Sequence, residues 1–239
     1  MTSSGSMGIP GLADPAHLTL MTAAQHGQHV VYSLDVQTLL IITALAFLPG
    51  LALLMSAFTR IIVILTIVRQ ALGLTSTPPN MVLIALALIL TAFVMHPTLS
   101  AINDNALQPY LSGKIKFQQA VDQAEAPLRS FMLSQVRKRE LHLFVNLSGK
   151  KSYPSPQAVP MLVLVPAYAT SELQTAFEIG FLVYIPFVLI DLAVASVLMA
   201  LGMIMVSPTL ISFPIKLLLF VTIGGWGLLM GSVANSFLH

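Results

Sequence analysis

Three charged side chains stand in or beside long apolar segments, where a charge is costly. Glu178 precedes one apolar run, Asp191 interrupts that run, and Lys216 opens the next one. A charge at the centre of a transmembrane helix costs roughly 2.5–3.5 kcal/mol on insertion scales, so each charge needs a function or a partner. A proton or ion relay is one interpretation, and ion pairs between helices or subunits are the other. A relay usually needs several protonatable groups across the membrane, so we favour ion pairs, with Asp191 and Lys216 as the first pair to test.

A methionine-rich stretch follows the apolar run that holds Asp191. Met199, Met203 and Met205 lie in the sequence MALGMIM, directly before Ser207-Pro208. Methionine is unbranched and flexible, so a ring of such side chains could close an opening of variable width. A methionine cluster in an apolar helix is more commonly core filler, and the residues alone leave both interpretations open.

No residue pattern predicts an enzyme, a metal site or a cofactor. The chain has no cysteine, and its six histidines are scattered. The absence of cysteine excludes a thiol nucleophile and a thiolate metal site. No serine or threonine has a plausible nearby base, and no glycine-rich loop follows a strand. We therefore expect no catalytic residue, no metal ligand, no cofactor and no nucleic-acid partner.

The composition predicts an integral membrane protein. Hydrophobic residues make up 56% of the 239 residues, and charged residues make up 8%. Soluble domains carry roughly 25% charged residues. The mean hydropathy is +0.87. These values exclude ordinary soluble, disordered and collagen-like chains.

Four apolar runs are long enough to cross the ~30 Å hydrocarbon core as helices. They are residues 36–58, 81–102, 179–206 and 217–238. Pro49-Gly50 is expected to kink or split the first run, and a fifth stretch at 160–170 is too short to span. The predicted class is an all-α integral membrane protein of kinked helical hairpins, with four apolar spans.

The short connections between these spans set the predicted orientation. Residues 59–80 contain Arg60 and Arg69 without an acid, and residues 207–216 contain Lys216 without an acid. Short positively charged loops stay in the cytoplasm. Both termini and the segment 103–172 are therefore expected outside.

An amphipathic helical segment is predicted between spans two and three. Apolar residues recur at helical spacing over 115–147, Pro127 suits the first turn of a second helix, and Ser148-Gly149 would end it. We favour a helical cap with a solvated charged face over a lipid-binding patch. The predicted organisation is a polar, disordered segment 1–34, a helical hairpin 35–102, an extracytoplasmic helical region 103–172 and a second hairpin 173–239.

The last span contains the pattern GLLMG between Gly227 and Gly231. Glycines four residues apart let another helix approach closely. The partner helix belongs either to a second copy or to the same chain. Together with the kinking prolines and the intramembrane charges, the pattern favours an oligomer.

Several motifs together resemble the FliP family of flagellar biosynthetic proteins, which belong to type III secretion. They are FTRII (58–62), TPPN (77–80), ALQPYL (106–111), PAYATSEL (166–173) and IDLAVASVLM (190–199). The resemblance runs from about residue 32 to 237, with motifs in order and spacing. A related injectisome subunit shares much of it, and the context of Arg60 and Arg69 is more similar to the flagellar branch.

The resemblance implies a subunit of the flagellar export gate. Five copies would assemble with FliQ and FliR into a helical pore in the bacterial inner membrane, within the flagellar basal body. Much of the complex would lie on the periplasmic side. Unfolded flagellar proteins would pass through it, and FlhA, FlhB and membrane lipid would be further partners.

The resemblance also implies roles for particular residues. The family's methionine-rich constriction corresponds to Met203, Ile204 and Met205, where Ile204 departs from the usual three methionines. Its intramembrane charges correspond to Glu178, Asp191 and Lys216. Two other hypotheses stay open: a proton-coupled small-molecule transporter that uses Asp191, and an assembly platform without a channel.

Overall fold

A computed structural model describes residues 36–203 and 205–237, and within them every regular element is helical. The all-helical class predicted from the sequence is confirmed. The helices are α1 (Val36–Leu54), α2 (Phe58–Ala71), α3 (Asn80–Val94), α4 (His96–Ile102), α5 (Gln108–Leu111), α6 (Phe117–Gln135), α7 (Lys138–Leu147), α8 (Met161–Ala200), α9 (Pro208–Thr222) and α10 (Gly225–Asn235). A π-helical turn (Asn103–Leu107) joins α4 to α5, and a 3₁₀ turn (Pro156–Ala158) precedes α8. The predicted N-terminal segment 1–34 lies outside the described residues.

The chain divides into two compact units between Leu51 and Ala52. The first unit holds most of α1, which contains no charged residue. The predicted split at Pro49-Gly50 is not present, because α1 continues through Pro49 and ends at Leu54. The second unit holds all the other helices.

The longest helix, α8, is the central element of the second unit and packs against α2, α6, α7 and α9. Its 40 residues make it about 60 Å long, roughly twice the thickness of the hydrocarbon core. The sequence interpretation was wrong to begin this helix at residue 179 and to separate it from 160–170. One helix spans both, because the buried Glu172 is paired with Arg60, and Glu178 stays at the surface in a pair with Arg137.

By length and composition, only α8 among the described helices could cross a membrane as one unbroken helix. The predicted count of four spans is reached only if three broken pairs each count as one span: α1 with α2, α3 with α4–α5, and α9 with α10. The second pair bends by 65° at Met95 and the third by 67°. The third bend follows from Gly224, whose φ of +65° is left-handed and ends the regular helix.

The amphipathic segment forms two helices, but the break lies nine residues beyond the predicted one. Pro127 is inside α6, and the chain becomes extended at Val136 and Arg137. Hydrogen bonds from the backbone N–H and the guanidinium of Arg137 to α8 hold this break, which overrides the local preference of proline for a first turn. The second helix ends at Leu147, before Gly149 with a φ of +78°, as predicted.

Two clusters of buried side chains hold the second unit together. The larger cluster joins α2, α3, α8, α9 and α10, and Ile61, Ile64 and Leu65 of α2 are completely buried in it. The smaller cluster joins α6, α7 and the first half of α8 around Met132 and Tyr168. These cores fix the position of α8 against every element that supplies it with a charged partner.

Candidate functional site

Helix α8 carries three carboxylates, and each one meets a cation from a different element. Glu172 pairs with Arg60 of α2, Glu178 with Arg137 between α6 and α7, and Asp191 with Lys216 of α9. The three pairs form one series along α8. Ion pairs therefore join α8 to its neighbouring elements at three positions along its length.

The Arg60–Glu172 pair is the most deeply buried of the three. The side chain of Arg60 is 2% exposed and that of Glu172 is fully buried. Arg60 Nη2 donates to Glu172 Oε1 at 2.5 Å, and Nε donates to Oε2 at 2.9 Å. Such a two-pronged contact matches the planar guanidinium to the carboxylate and neutralises both charges where water is absent.

The remaining donors of Arg60 tie the pair to two further elements. Nη1 donates to the backbone oxygen of Ser236 at 2.9 Å, and Nη2 donates to Gln135 Oε1 at 3.0 Å. The guanidinium carbon lies 3.8 Å from the ring centroid of Phe237. Arg60 thus joins α2, α6, α8 and the turn after α10, so its burial is fully compensated.

The Arg137–Glu178 pair is closer to the surface. Arg137 Nη1 and Nη2 donate to the two Glu178 oxygens at 2.8 and 2.5 Å. The backbone N–H of Arg137 donates to Ser171 Oγ at 3.0 Å, and its Nη2 donates to Thr175 Oγ1 at 3.0 Å. The hydrogen bond with Glu178 raises the pKa of Arg137 above its usual value, with the charge of Glu178 adding to the effect and burial opposing it. Arg137 is therefore a permanent cation that docks the α6–α7 break on α8.

The predicted pair of Asp191 and Lys216 is joined within a single chain. Lys216 Nζ lies 2.5 Å from Asp191 Oδ2 and also donates to the backbone oxygen of Ala71 at 3.1 Å. Ser212 Oγ donates to the other carboxylate oxygen, Oδ1, at 2.5 Å. The lysine is almost completely buried, at 4% exposed. This group joins α8 and α9 to the end of α2.

The methionine residues lie in the connection between α8 and α9, which we term the methionine turn (residues 201–207). Met203 is 42% exposed and Met205 is fully exposed. Ile204 lies outside the described residues. Gly202 has a φ of +72°, which permits the reversal, and the N–H of Met203 donates to the Leu198 oxygen at 2.9 Å. Met203 and Met205 are therefore not core filler of this chain.

The two arginines predicted on the cytoplasmic side lie in helix α2 and not in a loop. Arg60 is in its first turn and Arg69 in its last. Arg69 Nη1 donates to the backbone oxygen of Pro78 at 3.2 Å and to Asn80 Oδ1 at 2.6 Å. Their side of the membrane stays a prediction.

The sequence did not identify the partners of Arg60 and Glu178. In the sequence, Glu172 is an acid that precedes an apolar run, and Arg137 begins the basic triplet Arg137-Lys138-Arg139. The available signal was that each charge beside an apolar run needs a partner of opposite sign. The choice among candidates required the tertiary structure.

Comparison with known proteins gives consistent similarities over most of the chain. The model of the family described as "FliP family" matches residues 41–233. The chain is 53% identical over 206 residues to the flagellar biosynthetic protein FliP of Cereibacter sphaeroides, covering 86% of this chain and 68% of that protein. It is 52% identical to FliP of Pectobacterium carotovorum, covering 86% and 80%. It is 47% identical over 205 residues to FliP of Bacillus subtilis, covering 86% and 93%.

Proposed function

The chain belongs to the FliP family, and on that premise we propose that it is a pore-forming subunit of the flagellar protein export gate. Five copies would assemble with FliQ and FliR in the bacterial inner membrane, next to FlhA and FlhB. Unfolded flagellar subunits would pass through the centre, and much of the particle would lie on the periplasmic side. The chain would act as a conduit and a seal, with no catalytic step of its own.

The methionine turn is the observation that supports this function best. It connects two apolar helices, contains no charged residue and presents Met203 and Met205 away from the core of its own chain. Repeated around an axis, such turns would form a ring of flexible apolar side chains. A narrow apolar ring excludes water and ions by dewetting, yet methionine side chains can move aside for a passing polypeptide. Ile204 would complete the ring.

The ion pair of Asp191 and Lys216 would fix the position of the methionine turn. Asp191 and Lys216 join the two helices that lead into and out of the turn, and Ser212 occupies the second carboxylate oxygen. Because both oxygens of Asp191 are engaged, a structural role is favoured over a proton relay. Lys216 Nζ also donates to the backbone oxygen of Ala71 at the end of α2, so the α8–α9 hairpin is attached to the larger buried cluster.

The surface of α10 supports assembly with another chain. A Cβ atom added at Gly227 or at Gly231 would meet no atom within 4 Å. No described residue of this chain therefore uses the close approach that such glycines permit, which leaves it available to a neighbouring subunit. Exposed apolar residues of α3, among them Met81, Ile89 and Phe93, would contact lipid or other subunits.

Native mass spectrometry of the detergent-purified chain tests this proposal. The chain should be measured alone and after co-expression with FliQ and FliR. The proposal predicts a pentamer that takes up both partners. A monomer or dimer that ignores them would contradict it and would favour a transporter that uses Asp191.

A further inference from the structure

A cavity of about 250 Å³ is lined by α7 and by residues 152–159, and the proposed function does not use it. Its floor is apolar and includes Leu141 and Val145, while Lys138, His142 and Tyr153 stand at its rim. Lys150 Nζ lies over the ring of Tyr153, 4.8 Å from its centroid. The ammonium group of Lys138 and the imidazole of His142 thus stand at an apolar cleft, and the ammonium group of Lys150 lies against its Tyr153 wall.

The charge around this cavity is one-sided. Lys138, Arg139 and His142 of α7 are exposed, whereas Glu140, the only acid in α7, is turned inward and is 6% exposed. Lys150 and Lys151 add two exposed cations in the loop that follows. A ligand that complements this surface carries a negative group for the rim and an apolar body for the floor.

The position of the cavity along α8 points to membrane lipid as such a ligand. The part of α8 beyond Glu178 is about 33 Å long, which matches the ~30 Å hydrocarbon core. In an inserted chain Glu178 therefore lies near the boundary with the headgroups. Arg137 is bonded to Glu178, and Lys138 is the next residue along the chain. In a chain inserted in this way, the start of α7 and the rim of the cavity would lie close to the lipid phosphates.

We propose that this cavity binds the headgroup of an anionic phospholipid, with the phosphate at Lys138, His142 and Lys150 and the glycerol and upper acyl part on the apolar floor. The inference concerns the chain inserted in a bilayer and does not depend on the export-gate function. A lysine near a membrane surface contributes about 1 kcal/mol to the binding of acidic lipid, so loss of two should weaken binding roughly thirtyfold.

The test compares variants of the full chain in lipid nanodiscs, with bound lipid read by native mass spectrometry. Wild-type chain should retain phosphatidylglycerol in preference to phosphatidylcholine. The variant Lys138→Gln/Lys150→Gln should lose this preference. The matched control Lys114→Gln/Lys116→Gln removes the same charge from exposed positions outside the cavity and should keep it. An equal loss in the control would show general surface attraction and would overturn the proposal.

A second variant separates the cavity from its charge. Ser152 lines the cavity and is exposed, so Ser152→Trp should fill the cleft without removing a cation or disturbing the core. We expect it to reduce phosphatidylglycerol retention as strongly as the double lysine variant. Unchanged retention would overturn the assignment. So would displacement of the lipid by inorganic phosphate alone, which would assign the site to free phosphate, or by a polyglutamate peptide, which would assign it to an acidic protein segment.

Discussion

Arg60 and Glu172 stand 112 residues apart in the sequence and form a two-pronged ion pair in the interior of the helical core. Both side chains are almost inaccessible to solvent, and the guanidinium makes further bonds to Gln135 and Ser236. A buried pair of this kind adds little stability relative to apolar residues, but its loss leaves a bare charge in the interior. The pair therefore makes the contact of α2 with α8 specific.

Removing one member of this pair should strongly destabilise the second unit. Glu172→Gln leaves the charge of Arg60 buried without compensation, so we expect the unfolding free energy to fall by about 3–5 kcal/mol. Unfolding of the purified protein in mild detergent, followed by helical circular dichroism, measures this. The matched control is Glu125→Gln, which breaks the partly exposed pair with Arg129 one turn away on α6. It should cost no more than about 0.5 kcal/mol. Equal effects of the two variants would contradict the structural role of Glu172.

The close contact between α2 and α8 makes a second prediction. A Cβ atom at Gly180 would lie 2.4 Å from Ile67 Cδ1 and 3.1 Å from Ile67 Cγ2. Gly180→Ala should therefore destabilise the protein by about 1–3 kcal/mol through overpacking. Adding Ile67→Val removes the Cδ1 atom and should restore part of the loss. Gly231→Ala, which meets nothing within 4 Å, is the control for helix propensity and should be neutral or slightly stabilising in the isolated chain. A stabilising Gly180→Ala would show that the helices are not in this contact.

The ion pair between Asp191 of α8 and Lys216 of α9 should matter for assembly of the oligomer. Lys216→Ala leaves Asp191 without its cation and frees the hairpin from Ala71. We expect fewer oligomers on native gels, with helix content largely preserved. Lys114→Ala removes an exposed charge elsewhere and should leave the gel pattern unchanged. An intact oligomer in the Lys216 variant would contradict the proposed role of the pair.

A conservative change at Asp191 distinguishes a structural role from proton transport. Asp191→Asn keeps the shape and one acceptor oxygen but removes the titratable group. A structural role predicts that Asp191→Asn supports more assembly than Asp191→Leu, because the amide can still accept from Ser212 or Lys216. A proton-coupled transporter would instead lose substrate flux equally in both variants. Motility of complemented cells, compared with oligomer yield, measures the difference.

The helical class could be predicted because apolar runs of this length leave a chain few alternatives to helices in a membrane. The methionine turn and the charges of α8 and α9 could also be located, since residue type alone makes them unusual. The continuity of α8 could not be predicted. Its two glutamates suggest a helix end until Arg60 and Arg137 are known to neutralise them, and that depends on chain segments far apart in sequence.

The positions at which the other helices bend or break could not be predicted from the sequence either. Proline suggested breaks at Pro49 and Pro127, yet both helices continue through these residues. The break between α6 and α7 instead depends on Arg137 bonding to α8, and the bend after α9 depends on one left-handed glycine. Apolar segments lack a polar face, so periodicity does not show which side is buried or where a bend is tolerated.

The central claim is that the methionine turn seals an export pore, and ion leak in living cells tests it most directly. In cells whose chromosomal copy is replaced, Met203→Ala/Met205→Ala should raise ion conductance across the inner membrane, because smaller side chains leave a wetted opening. Met81→Ala/Met199→Ala removes two exposed methionines outside the turn and should not. The account predicts a leak in the first strain only. Unchanged conductance in that strain, with the oligomer assembled, would contradict the seal.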